Sequence, residues 1–323
     1  MSHDRLAAVR ASTGGPFTAA QARGAGFSTT EIRRLLRHGF WTLLRRGVYV
    51  DTELLERVAA HPERRHALDV AALLLTLRYD AVGGGSSAAQ VWGLDSLREY
   101  SSGLVVITDD EDVHTRHRRD VLVRRATLPA HHRHERFGAR VTSAARTAVD
   151  LARDARFAEG VVLVDSALRK ERTSLSQLYR VLNDCDGWPH IDRARRAVLF
   201  ADPKAESALE SVSRVAMHQE GVPAPRTQVV LGDERGILAR VDFLWDGVKV
   251  IGEADGLAKY RPDDRCSTLD VVRAEKRREE MLIDAGYEIV RWGWREANDP
   301  PRLKRKLLAA LARGAQRQQG RAG

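Results

Sequence analysis

The chain has 323 residues, 30% of them charged, a formal net charge of +9 and two cysteines. At roughly 100–200 residues per domain this length predicts two or three domains. No apolar run approaches the roughly 20 residues of a membrane span. The start carries no apolar signal segment, and Cys185 and Cys266 are too few and too far apart for a zinc ribbon or a disulfide framework. The expectation is a cytoplasmic protein with no membrane partner that meets a polyanion, nucleic acid first.

Residues 1–50 hold eight Arg against two acids. Thr18 is placed to cap a short helix over 19–24, and Ser28, Thr29 or Thr30 a second over 31–38. The intervening "AGFS" is a turn of helix-turn-helix length. Gly39 ends the second helix, and "FWTLLRRGVYV" alternates as a hairpin wing. A winged helix-turn-helix over 1–55 is expected, the alternative being a small helical cap with a solvated Arg face. Arg33, Arg34 and Arg37 lie where a recognition helix meets DNA, and Arg45 and Arg46 lie in the wing beside phosphates.

Residues 56–200 read as a mixed α/β region. "RRHALDVAALLLTLRY" predicts a buried helix. The run "GGGSS" lacks the Gly-Lys-Ser/Thr of a phosphate loop. It predicts instead a turn into a packed helix from about Ser87, with Trp92 and Leu94 in the core. "GLVVIT" and "DVLVRRATL" predict strands. His131, His132 and His134 in "PAHHRHERFG" invite a metal, but the composition predicts a solvated loop. Ser143 is placed to cap "SAARTAVDLAR". Helices continue with a break near 172–173, and Pro203 is placed at the start of a further helix.

Residues 201–323 predict the order α-β-β-β-α-β-α, with a two-residue turn at Asp246–Gly247 between the second and third strands. That hairpin brings Asp242 beside 251–253, and a period of two puts Glu253 and Asp255 on one face. Glu206 and Glu210, four apart, share a helix face. Carboxylates so gathered repel one another and raise each other's pKa, which a divalent cation resolves. Hard oxygen ligands suit Mg²⁺ or Mn²⁺.

This order and these acids resemble the PD-(D/E)xK endonuclease superfamily over residues 204–315, more closely its very-short-patch-repair-like branch. The resemblance implies a restriction-endonuclease-like α/β domain. It assigns Glu210 or Glu206 as the helix acid and Asp242 and Glu253 as metal ligands, and places Asp255 where the superfamily carries Lys. "EADGLAK" fits a variant of that branch with Lys259 in the basic slot, and Lys276 is a second candidate amine. The implied function is Mg²⁺-dependent hydrolysis of DNA phosphodiesters, with Arg273 and Arg277 gripping phosphates. "FTAAQARGAGFSTTEIRRLLRHGFWTLLRRGVYV", "AAQVWGL" and "VTSAARTAVDLAR" resemble AbiEi-type antitoxin regulators over residues 5–160. That resemblance implies DNA binding by the head, with a toxin partner the sequence cannot show. The alternative function is a DNA-binding regulator or type IV antitoxin-like protein whose nuclease fold is inactive.

Overall fold

A computed structural model describes residues 15–100, 103–118, 120–233, 236–255 and 268–322. The fold is mixed α+β with several sheets. It divides into two compact units, 1–155 with 171–195, and 156–170 with 196–323. No helix among the described residues is long and apolar enough to cross a membrane.

The first unit opens with β1 (Phe17–Thr18), α1 (Ala19–Gly24), α2 (Thr29–Arg37), β2 (Trp41–Arg45) and β3 (Val48–Asp51). Thr18 and Ser28 each accept a hydrogen bond from the third residue of their helix, and Gln21 and Glu31 reach back to the cap N–H. Each such cap is worth about 1 kcal/mol, which matters for helices this short. The strands form a sheet in the order β1-β3-β2, with β2 and β3 antiparallel. Phe17 and Phe27 meet Trp41 edge-on at centroid distances of 4.7 and 5.1 Å, and this aromatic knot ties both helices to the wing.

α3 (Thr52–Val58) and α4 (Pro62–Leu74) follow, then β4 (Val82–Gly83) and α5 (Gly85–Trp92). The glycine run is there for close packing. A Cβ on Gly83 would lie 2.7 Å from Val70 Cγ1, and one on Gly84 would strike the Ile107 side chain. The helix starts at Gly85, two residues before the expected Ser87, because Gly84 serves as its cap. Trp92 and Leu94 are buried as expected.

β5 (Leu104–Thr108), β6 (Arg116–Arg118), β7 (Val121–Arg125), β8 (Arg133–Arg136) and β9 (Ala139–Thr142) complete a six-stranded sheet ordered β6-β7-β5-β4-β9-β8. The expected loop over the three His residues is corrected here. Residues 130–132 form a 3₁₀ turn, and 133–136 pair with β9 through a hairpin whose tip, Phe137–Gly138, has both φ values positive. α6 (Ala144–Asp154), capped by Ser143 as expected, and α8 (Leu175–Asp184) pack in this unit.

The second unit contains α7 (Phe157–Arg169), the end of α9 (Ile191–Phe200), α10 (Ala208–Gln219), β10 (Arg226–Asp233), β11 (Gly236–Trp245), β12 (Val250–Ala254), α11 (Thr268–Asp284), β13 (Glu288–Trp292), α12 (Trp294–Ala297) and α13 (Pro300–Ala322). The order of elements from 208 onward follows the sequence expectation except for the short α12, which stands between the last strand and the last helix. Its sheet runs β10-β11-β12-β13, antiparallel except for the parallel β12–β13 pair.

Two details depart from expectation. The first helix begins at Ala208 with Ser207 as cap, so Pro203 lies in the turn before it. The Asp246–Gly247 turn is longer than two residues. Residues 246–248 form a 3₁₀ turn, and Lys249 closes it at φ 49° with its N–H donating to Asp246 O at 3.1 Å.

Both sheet faces are covered. Phe243, Trp245 and Trp292 pack with Leu209, Val212, Leu303 and Leu307, while Val241, Leu244 and Ile251 pack with Leu282 of α11. Val241 and Phe243 are two apart yet belong to opposite clusters. The alternation that a regular strand imposes therefore breaks at Asp242. Trp292 stands so close to β12 that a Cβ on Gly252 would lie 2.6 Å from its ring.

Candidate nucleic-acid interface and acidic cluster

The head presents its cations as the sequence predicts. Ile32 and Leu35 point inward, which leaves Arg33, Arg34 and Arg37 of α2 exposed. Arg46 at the wing tip is exposed too. Arg45 departs from the expectation of a phosphate contact. Its Nη2 is 2.8 Å from Asp120 Oδ2, an ion pair within the protein.

The expected acid cluster forms in part. Glu210 is 5% exposed. Its Oε2 accepts from Glu206 N–H at 3.0 Å and from Gln228 Nε2 at 2.8 Å, and its Oε1 accepts from Ser207 Oγ at 2.8 Å. Burial raises the Glu210 pKa, and the Asp242 charge adds to the rise, while hydrogen bonds from Glu206 N–H, Ser207 and Gln228 oppose it. Asp242 Oδ2 accepts from Ala254 N–H at 2.9 Å, and its Oδ1 lies 3.3 Å from Gln228 Nε2. One amide thus reaches both carboxylates. Gln228 does so from φ 48° within a strand, a left-handed conformation that costs a non-glycine residue about 1–2 kcal/mol.

Glu253 is one step beyond the last β11–β12 ladder pair, Phe243↔Gly252. Its neighbour across the sheet is Arg291, with which it is in register on β13. Arg278 Nη2 lies 2.5 Å from Oε1 and Arg291 Nε 2.8 Å from Oε2. Arg291 also donates to Glu279 at 3.0 Å. Burial alone would lower its pKa, but hydrogen bonds to Glu279 and Glu253 outweigh that and raise it. Asp255, half exposed, is 3.7 Å from Arg291 Nε.

Hard-cation chemistry needs several carboxylate oxygens to converge. Among the described residues the three acids do not come together that tightly, and both oxygens of Glu253 are already held by guanidinium groups. Held this way, Glu253 has neither oxygen free of a guanidinium partner for the expected ion. Glu206 is drawn off to Arg240 at 2.6 Å. Lys259 lies outside the described residues. Lys276 is exposed and 3.9 Å from Glu280. At about 100° per residue it sits roughly 200° round the helix from Arg278, the residue that faces the cluster. Arg273 and Arg277 are exposed on the same helix.

The sequence reasoning missed Arg278, Arg291 and Gln228. Arg291 could have been found by setting "VIGEA" parallel to "EIVRW", which pairs it with Glu253.

A set of His and acid groups does converge elsewhere. His131, His132 and Asp184 bring ligand atoms within 4.8 Å of one another. His132 Nδ1 is 2.9 Å from Arg146 Nη1, which can only donate. Nε2 therefore carries the ring proton, donated to Asp184 Oδ2 at 3.1 Å. A metal-bound imidazole instead donates through its second nitrogen, which Arg146 prevents. Burial first, then Arg146, lowers the His132 pKa to about 4, so this set is a polar buttress.

Two capped helices and a wing, followed by a mixed sheet unit, define the class: a mixed α+β protein with a small head that exposes a basic helix. The comparisons narrow it. Residues 4–50 match a family model described as "Transcriptional regulator, AbiEi antitoxin", and residues 81–198 match one described as "AbiEi antitoxin C-terminal domain". The N-terminal part of the chain is therefore of the AbiEi antitoxin type. Two curated relatives from Mycobacterium tuberculosis, "Uncharacterized protein MT2308" and "Uncharacterized protein Rv2248", are each 32% identical over 165 residues, 49% of this chain and 59% of theirs. The chain thus spans about three fifths of the length of the curated relatives it matches.

Proposed function

We propose that the chain is a DNA-binding transcriptional regulator of the AbiEi antitoxin type whose C-terminal unit keeps a nuclease-like arrangement without cutting DNA. The carrying observation is the exposed face of Arg33, Arg34 and Arg37 on the second helix of a capped helix pair with a wing, within the stretch that matches the regulator family. A helix so placed enters the major groove, while flanking cations such as Arg46 contact phosphates. A toxin partner is part of this proposal, through the family likeness alone.

The order of elements from 208 onward and the Glu210–Gln228–Asp242 set support the nuclease-like ancestry. The guanidinium clamp on Glu253 supports silence. The competing reading, a Mg²⁺- or Mn²⁺-dependent endonuclease, is favoured by the nearness of Glu210 and Asp242.

The test is to measure duplex binding by fluorescence anisotropy, and to incubate plasmid with Mg²⁺, Mn²⁺ or EDTA beside Asp242→Ala. Retained binding without cleavage is expected. Cleavage that needs both the metal and Asp242 would overturn the inactive assignment. No binding to duplexes from the region upstream of the chain's own gene would overturn the regulator.

A further inference from the structure

We propose that the six-stranded unit binds a small organic oxyanion, a carboxylate or phosphate compound of up to mononucleotide size, in an arginine-lined cavity beside Trp188. The cavity measures about 400 Å³, and its lining includes Arg124, Arg125, Arg146, Arg153, Asp150 and Trp188. That volume is in the usual range for small-ligand sites.

The charges around the cavity do not balance. Arg146 is fully buried and held on two of its three nitrogens: Nε donates to Asp150 at 2.8 Å, and Nη1 lies 3.0 Å from Thr127 O and 2.9 Å from His132 Nδ1. Arg124 pairs with Asp154 at 3.0 Å. Among the described residues Arg125 has only the outlying Glu111 at 3.8 Å, and that carboxylate side chain is 90% exposed. Arg153 stacks over Trp188 with its guanidinium carbon 5.0 Å from the ring centroid, and its Nε is buried with no hydrogen-bond partner among the described residues. Two guanidinium groups thus line the cavity without a hydrogen-bonded carboxylate among the described residues, one of them with a buried donor unused.

A buried donor is normally satisfied, and a planar guanidinium is the side chain suited to bidentate contact with carboxylate or phosphate. Trp188 is already occupied: Arg146 lies over its ring at 4.6 Å as Arg153 does at 5.0 Å. It therefore fixes the guanidinium groups in place and is not a platform for a ligand ring. A discrete small anion fits a concave cavity floored by a fully buried arginine better than a duplex backbone, whose phosphates are contacted along an open surface. This inference goes beyond DNA binding by the head and does not depend on it.

The test is calorimetric titration of the full chain with inorganic phosphate, pyrophosphate, citrate and AMP at constant ionic strength, with chloride as reference. Saturable one-site binding of at least one probe is expected. It should weaken at least about tenfold in Arg153→Met, stay unchanged in the exposed Arg57→Ala, and be partly restored in Arg153→Lys. Circular dichroism melting establishes that the variants fold. If Arg153→Met does not, Arg125→Met at the rim decides, with the same weakening expected. Binding of no probe beyond chloride would overturn the proposal, as would binding that survives in the folded variants. Loss of duplex affinity in Arg153→Met with no probe bound would assign the cavity to DNA instead.

Discussion

Arg146→Met offers a quantitative test of the interior of the six-stranded unit. The substitution keeps most of the side-chain volume and removes every donor. It leaves Asp150, 5% exposed, without the Nε contact at 2.8 Å, and leaves Thr127 O and His132 Nδ1 without theirs. Removing one member of a buried pair costs about 3–5 kcal/mol, chiefly because the remaining charge is stranded. Burial already raises the Asp150 pKa against the pull of Arg146, and without Arg146 it rises further. A carboxyl group whose folded pKa exceeds its unfolded value contributes stability that is full below the unfolded pKa and lost as pH rises through the folded one. The penalty of Arg146→Met must therefore grow from pH 5 to pH 8. Adding Asp150→Asn should recover about 2 kcal/mol of it at pH 8. Urea denaturation followed by near-ultraviolet circular dichroism at both pH values measures this. A penalty under about 1 kcal/mol, or one that does not change with pH, would refute the reasoning.

The remaining predictions concern single positions. His132 has a folded pKa depressed to about 4 against 6.5, so its contribution is full above pH 6.5 and lost as pH falls towards 4. Its ring should titrate near 4 by NMR, and His132→Gln should flatten that acid limb of the stability curve. Gln228→Gly should be more stable than Gln228→Ala by about 1 kcal/mol in chemical denaturation, because only glycine relieves the positive φ. Gly252→Ala should cost about 1–3 kcal/mol or more in the same assay, because the new methyl meets the Trp292 and Trp245 rings.

The parts of the fold that sequence made legible were those set by local chemistry. Thr18, Ser28 and Ser143 announce their helices because each side chain accepts from an N–H that the helix leaves unpaired. The alternation of "FWTLLRRGVYV" announces the wing. What escaped depends on partners distant in sequence. The histidine-rich stretch has loop composition, yet residues 133–136 form a strand because β9 pairs with them, and His132 in the 3₁₀ turn before it is satisfied by Arg146 and Asp184. Asp242 and Glu253 were located correctly on adjacent strands. Their surroundings were not, because Arg278 arrives from a helix 25 residues later and Arg291 from a parallel strand 38 residues later. An acid read alone looks like a metal ligand. The same acid between two guanidinium groups is one side of an ion-pair network.

The regulator reading is tested most directly by the salt dependence of duplex binding. The slope of log K against log salt counts the phosphates neutralised, at about 0.9 per contact on B-form DNA. The account predicts a steep slope for the intact chain, and a loss of roughly one slope unit for each phosphate contact removed in the combined Arg33→Ala, Arg34→Ala, Arg37→Ala, Arg46→Ala variant of α2 and the wing. An unchanged slope in that variant, with its fold intact, would contradict the assignment of the head as the DNA reader.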